Sequence, residues 1–268
     1  MCERVITAIN LNEIASLSSL QPEGWNDIVP HFYFYSKSVF CYPVKVTMNN
    51  EIVGIGTTIV HNDVAWLAHI IVHPYYRRRG IGKQITQTLV GIAKAKNCST
   101  IYLVATDYGE PVYKKVGFII ETEYLVYKNV AKKDWIISGN IQPYKEKYME
   151  QLVALDRYTS GENRMAHLEE HLIKGMVYYT GDITEGYFLP TLGEGLIIAN
   201  TEIAGIELLK LHLKHNDRVG IPKENNVAQK FLEKTGFEEV KVIKRMRLGN
   251  ERKIQLANIY NRSGGKIG

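Results

Sequence analysis

The stretch VHPYYRRRGIGKQ, residues 72–84, decides how this chain folds. Before it runs Val64–Val72 (VAWLAHIIV), an almost unbroken apolar segment that reads as a central strand buried on both faces. After it, Ile81, Ile85, Leu89 and Ile92 recur at steps of four, four and three, the apolar face of a helix. A strand, a short Arg/Gly loop and an amphipathic helix make an anion cradle. The first helical turn leaves backbone N–H groups without partners, and the peptide dipoles place partial positive charge there. Gly80 and Gly82 remove the Cβ atoms that would hold an anion away, while three arginines and Lys83 add full charges. The spacing suits a pyrophosphate but fits neither common nucleotide motif. A Walker A loop needs Ser or Thr after the lysine, where Gln84 stands, and a dinucleotide fingerprint needs a glycine where Ile85 stands.

Outward from this segment, strands and helices alternate. Val5–Ile9 reads as a strand and Leu11–Leu20 as helical. Val44–Met48 and Glu51–Val60 flank the turn signal Asn49-Asn50 and read as a hairpin. Thr100–Ala105 is a further buried strand. Pro111–Val116 reads as a short helix closed by Gly117, and Phe118–Tyr127 as a long strand. A charged break, Lys128–Asp134 (KNVAKKD), then separates a second unit that echoes the first. VYKKVGF (Val112–Phe118) returns as FLEKTGF (Phe231–Phe237), and ITAIN (Ile6–Asn10) as IISGN (Ile136–Asn140). Internal repetition of this kind reflects repeated architecture. The expected division is 1–130 and 135–268.

Residues Val72–Gly82 spell V-H-P-x-x-R-x-x-G-x-G, and Tyr113–Phe118 spell Y-x-x-x-G-F one helix and one strand later. In that order the two motifs resemble the acetyl-CoA signature of the GNAT (GCN5-related N-acetyltransferase) superfamily, over about residues 5–128. The resemblance implies an α/β fold of the α+β kind: two GNAT-like domains in tandem, each a mixed, mostly antiparallel sheet flanked by helices. It implies acetyl-CoA as co-substrate. The backbone of Ile70, Ile71 and Val72 would pair with the pantetheine arm like an added strand, and Arg77, Arg78, Arg79, Gly80, Ile81, Gly82 and Lys83 would hold the pyrophosphate. Tyr113 stands where the family places the acid that protonates the departing thiolate. The family's asparagine seven residues earlier is here Thr106, so its contact falls to Asp107 or the main chain.

An alkylammonium titrating near 10.4 is no nucleophile at neutral pH, so a base or a water chain must relieve it. His69, Asp63, Asp107 and Glu110 are the titratable groups near the motifs, and none is assigned. A structural role is the stronger reading for His69. The second unit lacks the cofactor parts. Ile198–Gly205 (IANTEIAG) replaces the Arg/Gly loop, with Asn200 or Thr201 as an ordinary N-cap, and Leu232 replaces the tyrosine, though Asn225 keeps the asparagine position. It resembles a degenerate GNAT domain, a fold without catalysis. LDRYTSGENR (Leu155–Arg164) gathers Asp156, Arg157, Glu162, Asn163 and Arg164 and reads as a solvated loop or as one wall of an acceptor site. The terminal NIYNRSGGKIG reads as mobile.

Composition narrows the function. The chain has 268 residues, 45% hydrophobic and 23% charged, with a net charge of +5, as for an ordinary soluble protein favouring anionic ligands. Apart from the triplet the basic residues are dispersed, so no nucleic acid is expected. Cys2, Cys41 and Cys98 form no C-x-x-C pair, so neither a disulfide framework nor a metal is expected. The amino-terminal residues lack a signal-peptide pattern and no apolar run spans a bilayer, which reads as cytoplasmic with no membrane partner. The leading expectation is N-acetylation of a primary amine of a small molecule by direct attack in a ternary complex, since no nucleophile accompanies a base. Acetylation of a protein N-terminus or lysine, and a non-catalytic acyl-CoA sensor, are the alternatives. Oligomeric state is not fixed by the sequence.

Overall fold

The computed structural model describes residues 4–131 and 134–268, so Lys132 and Lys133 of the charged break, and Cys2, lie outside the described residues. The chain forms two compact units. The first holds residues up to Ile120 together with Met246–Glu251 and Gly265–Ile267. The second holds Glu121–Arg245, Arg252–Gly264 and Gly268.

In the first unit β1 (Val5–Ala8) is followed by a 3-10 helix (Leu11–Leu20), α1 (Val29–Lys37), β2 (Cys41–Met48), β3 (Glu51–His61), β4 (Val64–Val72), α2 (Ile81–Ala95), β5 (Thr100–Ala105) and α3 (Glu110–Lys114). The strands lie in the order β1-β2-β3-β4-β5, antiparallel except for the parallel pair β4–β5. Asn49 and Asn50 both take positive φ (49° and 64°), the geometry a two-residue hairpin turn requires and asparagine tolerates. On α2, Ile81, Ile85 and Leu89 are buried and pack with Val44, Val53, Leu67 and Leu103 in one core. The helix can approach the sheet this closely because Gly54 and Gly56 have no side chains. A Cβ on either would meet Ile85 or Leu89 at 2.8–2.9 Å. The helical reading of residues 11–20 holds, but the element is the tighter 3-10 form. The helix α1 has no counterpart in the sequence reading.

β6 (Ile119–Lys128) carries the chain from the first unit to the second, which contains β7 (Ile141–Pro143), α4 (Met149–Ser160), α5 (Met165–Leu172), β8 (Met176–Thr180), β9 (Ile183–Leu189), β10 (Leu196–Ala199), α6 (Glu202–Leu213), β11 (Arg218–Pro222), α7 (Asn226–Lys234) and most of β12 (Glu238–Gly249), then β13 (Ile259–Asn261). Its sheet runs β13-β10-β9-β8-β7, and β11 pairs antiparallel with β6. The repeat is visible in hydrogen bonds. Phe118 N–H donates to Tyr113 C=O (3.1 Å) and Gly117 N–H to Lys114 C=O (3.0 Å). Phe237 N–H donates to Leu232 C=O (2.9 Å) and Gly236 N–H to Glu233 C=O (3.0 Å). Both helices therefore end in the same way, on a left-handed glycine and a phenylalanine just before the next strand. IISGN, however, is not the second copy of β1, because residues 136–140 form no strand and β7 begins at Ile141. Nor does the terminal segment dangle: β13 is a strand, and Arg262, Ser263 and Ile267 are buried. Among the described residues no helix is long and apolar enough to cross a membrane.

Candidate active site

β4 organises the site. It pairs with β3 as far as Val72↔Gly54, but with β5 only from Val64↔Thr100 to Leu67↔Leu103. Beyond Leu67 the two parallel strands part, and the edge of β4 that carries Ile70, Ile71 and Val72 is left open. A bulge marks the point of parting. The β3–β4 register shifts between Ile55 and Thr57, and His69 sits there with φ 49°, a left-handed backbone that a side chain adopts only under constraint.

The loop after β4 turns through a 3-10 segment, Pro74–Tyr76, and enters α2 on Gly80 at φ 82°. The first helical bond runs from Gln84 N–H to Gly80 C=O (3.1 Å), so the amides of Ile81, Gly82 and Lys83 precede the ladder. Gly82 differs from the packing glycines Gly54 and Gly56. A Cβ on it would meet only Val72 Cγ2 at 3.7 Å, ordinary contact. The protein has room for a side chain there, so its own packing does not demand the glycine. The arginines divide their work. Arg77 Nε donates to Val72 C=O (3.2 Å) and Arg79 lies 5.2 Å from the Tyr76 ring centre. Arg78 takes φ 60°, and all three are exposed. Ile81 is buried by its side chain and offers only main chain.

Tyr113, on α3, belongs to the same core as Ile81, Leu103 and Ala105, with Ile70 and Val72 packed against that core. Its ring lies on Gly109, where a Cβ would meet it at 2.6–2.9 Å. Burial raises the phenol above its usual range, so it keeps its proton throughout the neutral region. Thr106, at the asparagine position, is spent locally: its Oγ1 and C=O accept from Gly109 N–H (3.2 and 2.9 Å). Asp107 is exposed, Asp63 binds Ser99 and Thr100 at the far end of β4, and Glu110 pairs with Lys114 at 2.7 Å.

His69 enters an aromatic cluster that the sequence reading did not assemble. Its Nδ1 is 2.9 Å from the Tyr35 hydroxyl, and the rings of His31, Phe32 and Trp25 lie 4.9, 6.0 and 6.1 Å away. Burial first, then His31 and Lys266, push His69 down to about 3. In the sequence α1 is the run VPHFYFYSK, whose aromatics occupy every side of a helix and so conceal its period. Cys41 and Cys98 are buried thiols, pushed up by that burial to about 12 and about 11.

In the second unit the corresponding parts are closed. Thr201 Oγ1 accepts from Ala204 N–H (3.3 Å) at the start of α6 and donates to Glu185 (2.6 Å), so a side chain and a carboxylate occupy the place where the first unit has open amides. Leu232 is core. The 155–164 segment is not a solvated loop: Asp156, Glu162 and Arg164 are buried, with Arg164 on both oxygens of Asp156 and Tyr187 donating to the same carboxylate, while Arg157 and Asn163 are exposed. Among the described residues no group of three His, Cys, Asp or Glu is placed to hold a metal ion.

Residues 11–118 match the profile of the acetyltransferase (GNAT) family. A 55-residue stretch is 33% identical to the glucosamine 6-phosphate N-acetyltransferase of Trypanosoma brucei brucei and spans 20% of this chain but 37% of that protein, little more than a third of the relative. A Pyrococcus horikoshii crystal structure assigned as an acetyltransferase superposes on 99% of this chain and 96% of its own, with TM-score 0.84 and 20% identity. A tandem GNAT protein from the clavulanic acid biosynthesis pathway does so on 94% and 100%, with TM-score 0.61 and 13% identity. At these identities the likeness is one of fold, and it extends over both units.

Proposed function

We propose that this chain, whose residues 11–118 match the acetyltransferase (GNAT) family, moves the acetyl group of acetyl-CoA onto a primary amine of a small molecule, by direct attack in a ternary complex. The observation that carries this reading is the coincidence of two vacancies in one unit: the open edge of β4 beyond Leu67 and the amides of Ile81–Lys83 with no side chain on Gly80 or Gly82. An extended pantetheine arm completes the first as an added strand, through the backbone of Ile70, Ile71 and Val72. The diphosphate meets the second, within Arg77, Arg78, Arg79, Gly80, Ile81, Gly82 and Lys83. The acceptor nitrogen attacks the thioester carbonyl carbon, the C–N bond forms, and the C–S bond breaks. Tyr113 gives its proton to the departing sulfur, and the proton shed by the nitrogen restores the phenol through water. Cys41 and Cys98, held as buried thiols, are unsuited to an acetyl-enzyme intermediate, which supports direct transfer.

Thiol release with a panel of small amines, measured for the wild type and Tyr113→Phe, tests the proposal. We expect turnover to fall about 100-fold in the variant with acetyl-CoA affinity unchanged by calorimetry. Unchanged turnover removes Tyr113 from the chemistry. Binding without thiol release on any amine favours an acyl-CoA sensor, and release only with peptides favours a protein acceptor.

A further inference from the structure

In the first unit β4 has an open edge beyond Leu67; in the second unit the same edge of the sheet is filled by the chain itself. β13 pairs antiparallel with β10, Ile197↔Asn261 and Ile198↔Ile259, with a register shift between them. On its other side β13 meets β11, where Arg262 N–H donates to Gly220 C=O (2.8 Å). A three-residue strand thus lies in the gap between two strands, and side chains hold it to an unusual degree. Asn261 Nδ2 donates to the carbonyls of Glu194 (2.9 Å) and Gly195 (2.7 Å), and its Oδ1 accepts from Gly220 N–H (2.9 Å). Arg262 forms two bonds to the Glu194 carboxylate (3.0 and 2.7 Å). Asn225 Nδ2 donates to Ile259 C=O (3.0 Å) while its Oδ1 caps α7. The hydroxyl-bearing end of the Tyr260 ring presses on Gly205 of α6, so close that a Cβ there would fall 2.1–2.4 Å from ring atoms.

A strand that belonged to a regular sheet would be held by its ladder. Here the main chain is short and each side chain has its own receptor: a glycine platform for the aromatic ring, three main-chain groups for the amide and a carboxylate for the guanidinium. That is how a groove recognises an extended peptide by strand addition, main-chain bonds supplying affinity and alternate side chains supplying selectivity. The acidic groups at the start of α6, Glu185 and Glu202, oppose a diphosphate in the same place.

We infer that the second unit is a peptide-binding domain built on the slot between β10 and β11, selective for an extended Ile-Tyr-Asn-Arg sequence, and that its resident ligand is the chain's own Ile259–Arg262. The slot takes peptide and not thioester, and the resident segment blocks it against a second copy of that sequence.

The test uses full-length protein and a fluorescent peptide of residues 256–263, LANIYNRS. Wild type shows no binding, because the slot is filled. The double variant Tyr260→Ser, Asn261→Ala loosens the resident segment and binds one labelled peptide per chain. A peptide carrying the same two substitutions binds at least about tenfold more weakly. A folded double variant that ignores the peptide, or a wild type that binds it equally well, overturns the inference. Should the variant not fold, hydrogen exchange on the wild type decides. The amides of Gly220 and Arg262 are expected to exchange through local opening, faster than those of Val177 and Tyr187 in β8 and β9, and exchange of all four at one rate overturns it. Neither measurement involves acetyl-CoA, so failure here leaves the acetyltransferase proposal untouched, and the reverse.

Discussion

Single residues separate the demands of the fold from those of the ligand. Gly56 is pressed by Ile85 and Leu89 at 2.9 Å, whereas Gly82 has space around it. Gly56→Ala should therefore destabilise the protein by about 1–3 kcal/mol through overpacking. Gly82→Ala lies in a helical first turn and should stabilise by up to about 1 kcal/mol, while weakening acetyl-CoA by about tenfold or more as the methyl lifts the diphosphate off the amides. Urea melts with calorimetry on both variants check this pair of opposite signs. His69 gives a pH signature. Folded, it titrates near 3, pushed there mainly by burial, and unfolded it titrates near 6.5. Between those values the unfolded chain binds a proton that the folded one refuses, so stability is complete above about pH 7 and falls on acidification, by up to about 1.4 kcal/mol per pH unit. His31 and His212, both lowered by burial, act in the same direction. His69→Asn tolerates the positive φ and lacks the imidazole, so its urea midpoint should decline less steeply between pH 6.5 and 4.5. An identical acid limb would mean that His69 does not drive it.

Among the elements, those fixed by local chemistry were legible in the sequence. The periodicity of α2, the turn Asn49-Asn50 and the helix–glycine–phenylalanine endings before β6 and β12 each rest on contacts within a few residues. What escaped depends on distant partners. α1 hides its period because Phe32, Tyr33, Phe34 and Tyr35 are consecutive aromatics, and only the packing decides that Phe32 and Tyr35 are the buried ones. The 155–164 segment looks solvated because its residues are charged, yet Asp156 and Arg164 satisfy one another inside the second unit. Arg164→Met should cost about 3–5 kcal/mol, since it leaves a buried carboxylate without its cation. Adding Asp156→Leu to that variant should recover much of the loss. Urea unfolding of both proteins decides it, and a single variant as stable as wild type would show the pair to be dispensable.

For the molecule as a whole, the doubling was readable from one recurring motif, VYKKVGF returning as FLEKTGF, whereas the second match, ITAIN with IISGN, was not structural and the path of the chain was not legible. Met246–Glu251 and Gly265–Ile267 return to the first unit after the second is largely built, and no shift in composition marks such a return. The cofactor reading assigns one acetyl-CoA per chain, because the start of α6 is capped by Thr201 and β10 is already paired with β13. Calorimetric titration should saturate at one equivalent, and two equivalents would show that the second unit also takes the thioester. The buried thiols have a practical corollary. Cys41 and Cys98 titrate at about 12 and about 11 and lie inside the structure, so an aromatic disulfide dye should leave them uncoloured while the protein stays folded. In a Cys2→Ser background every mole of yellow anion then counts free coenzyme A, and turnover can be followed continuously in one cuvette without a protein blank.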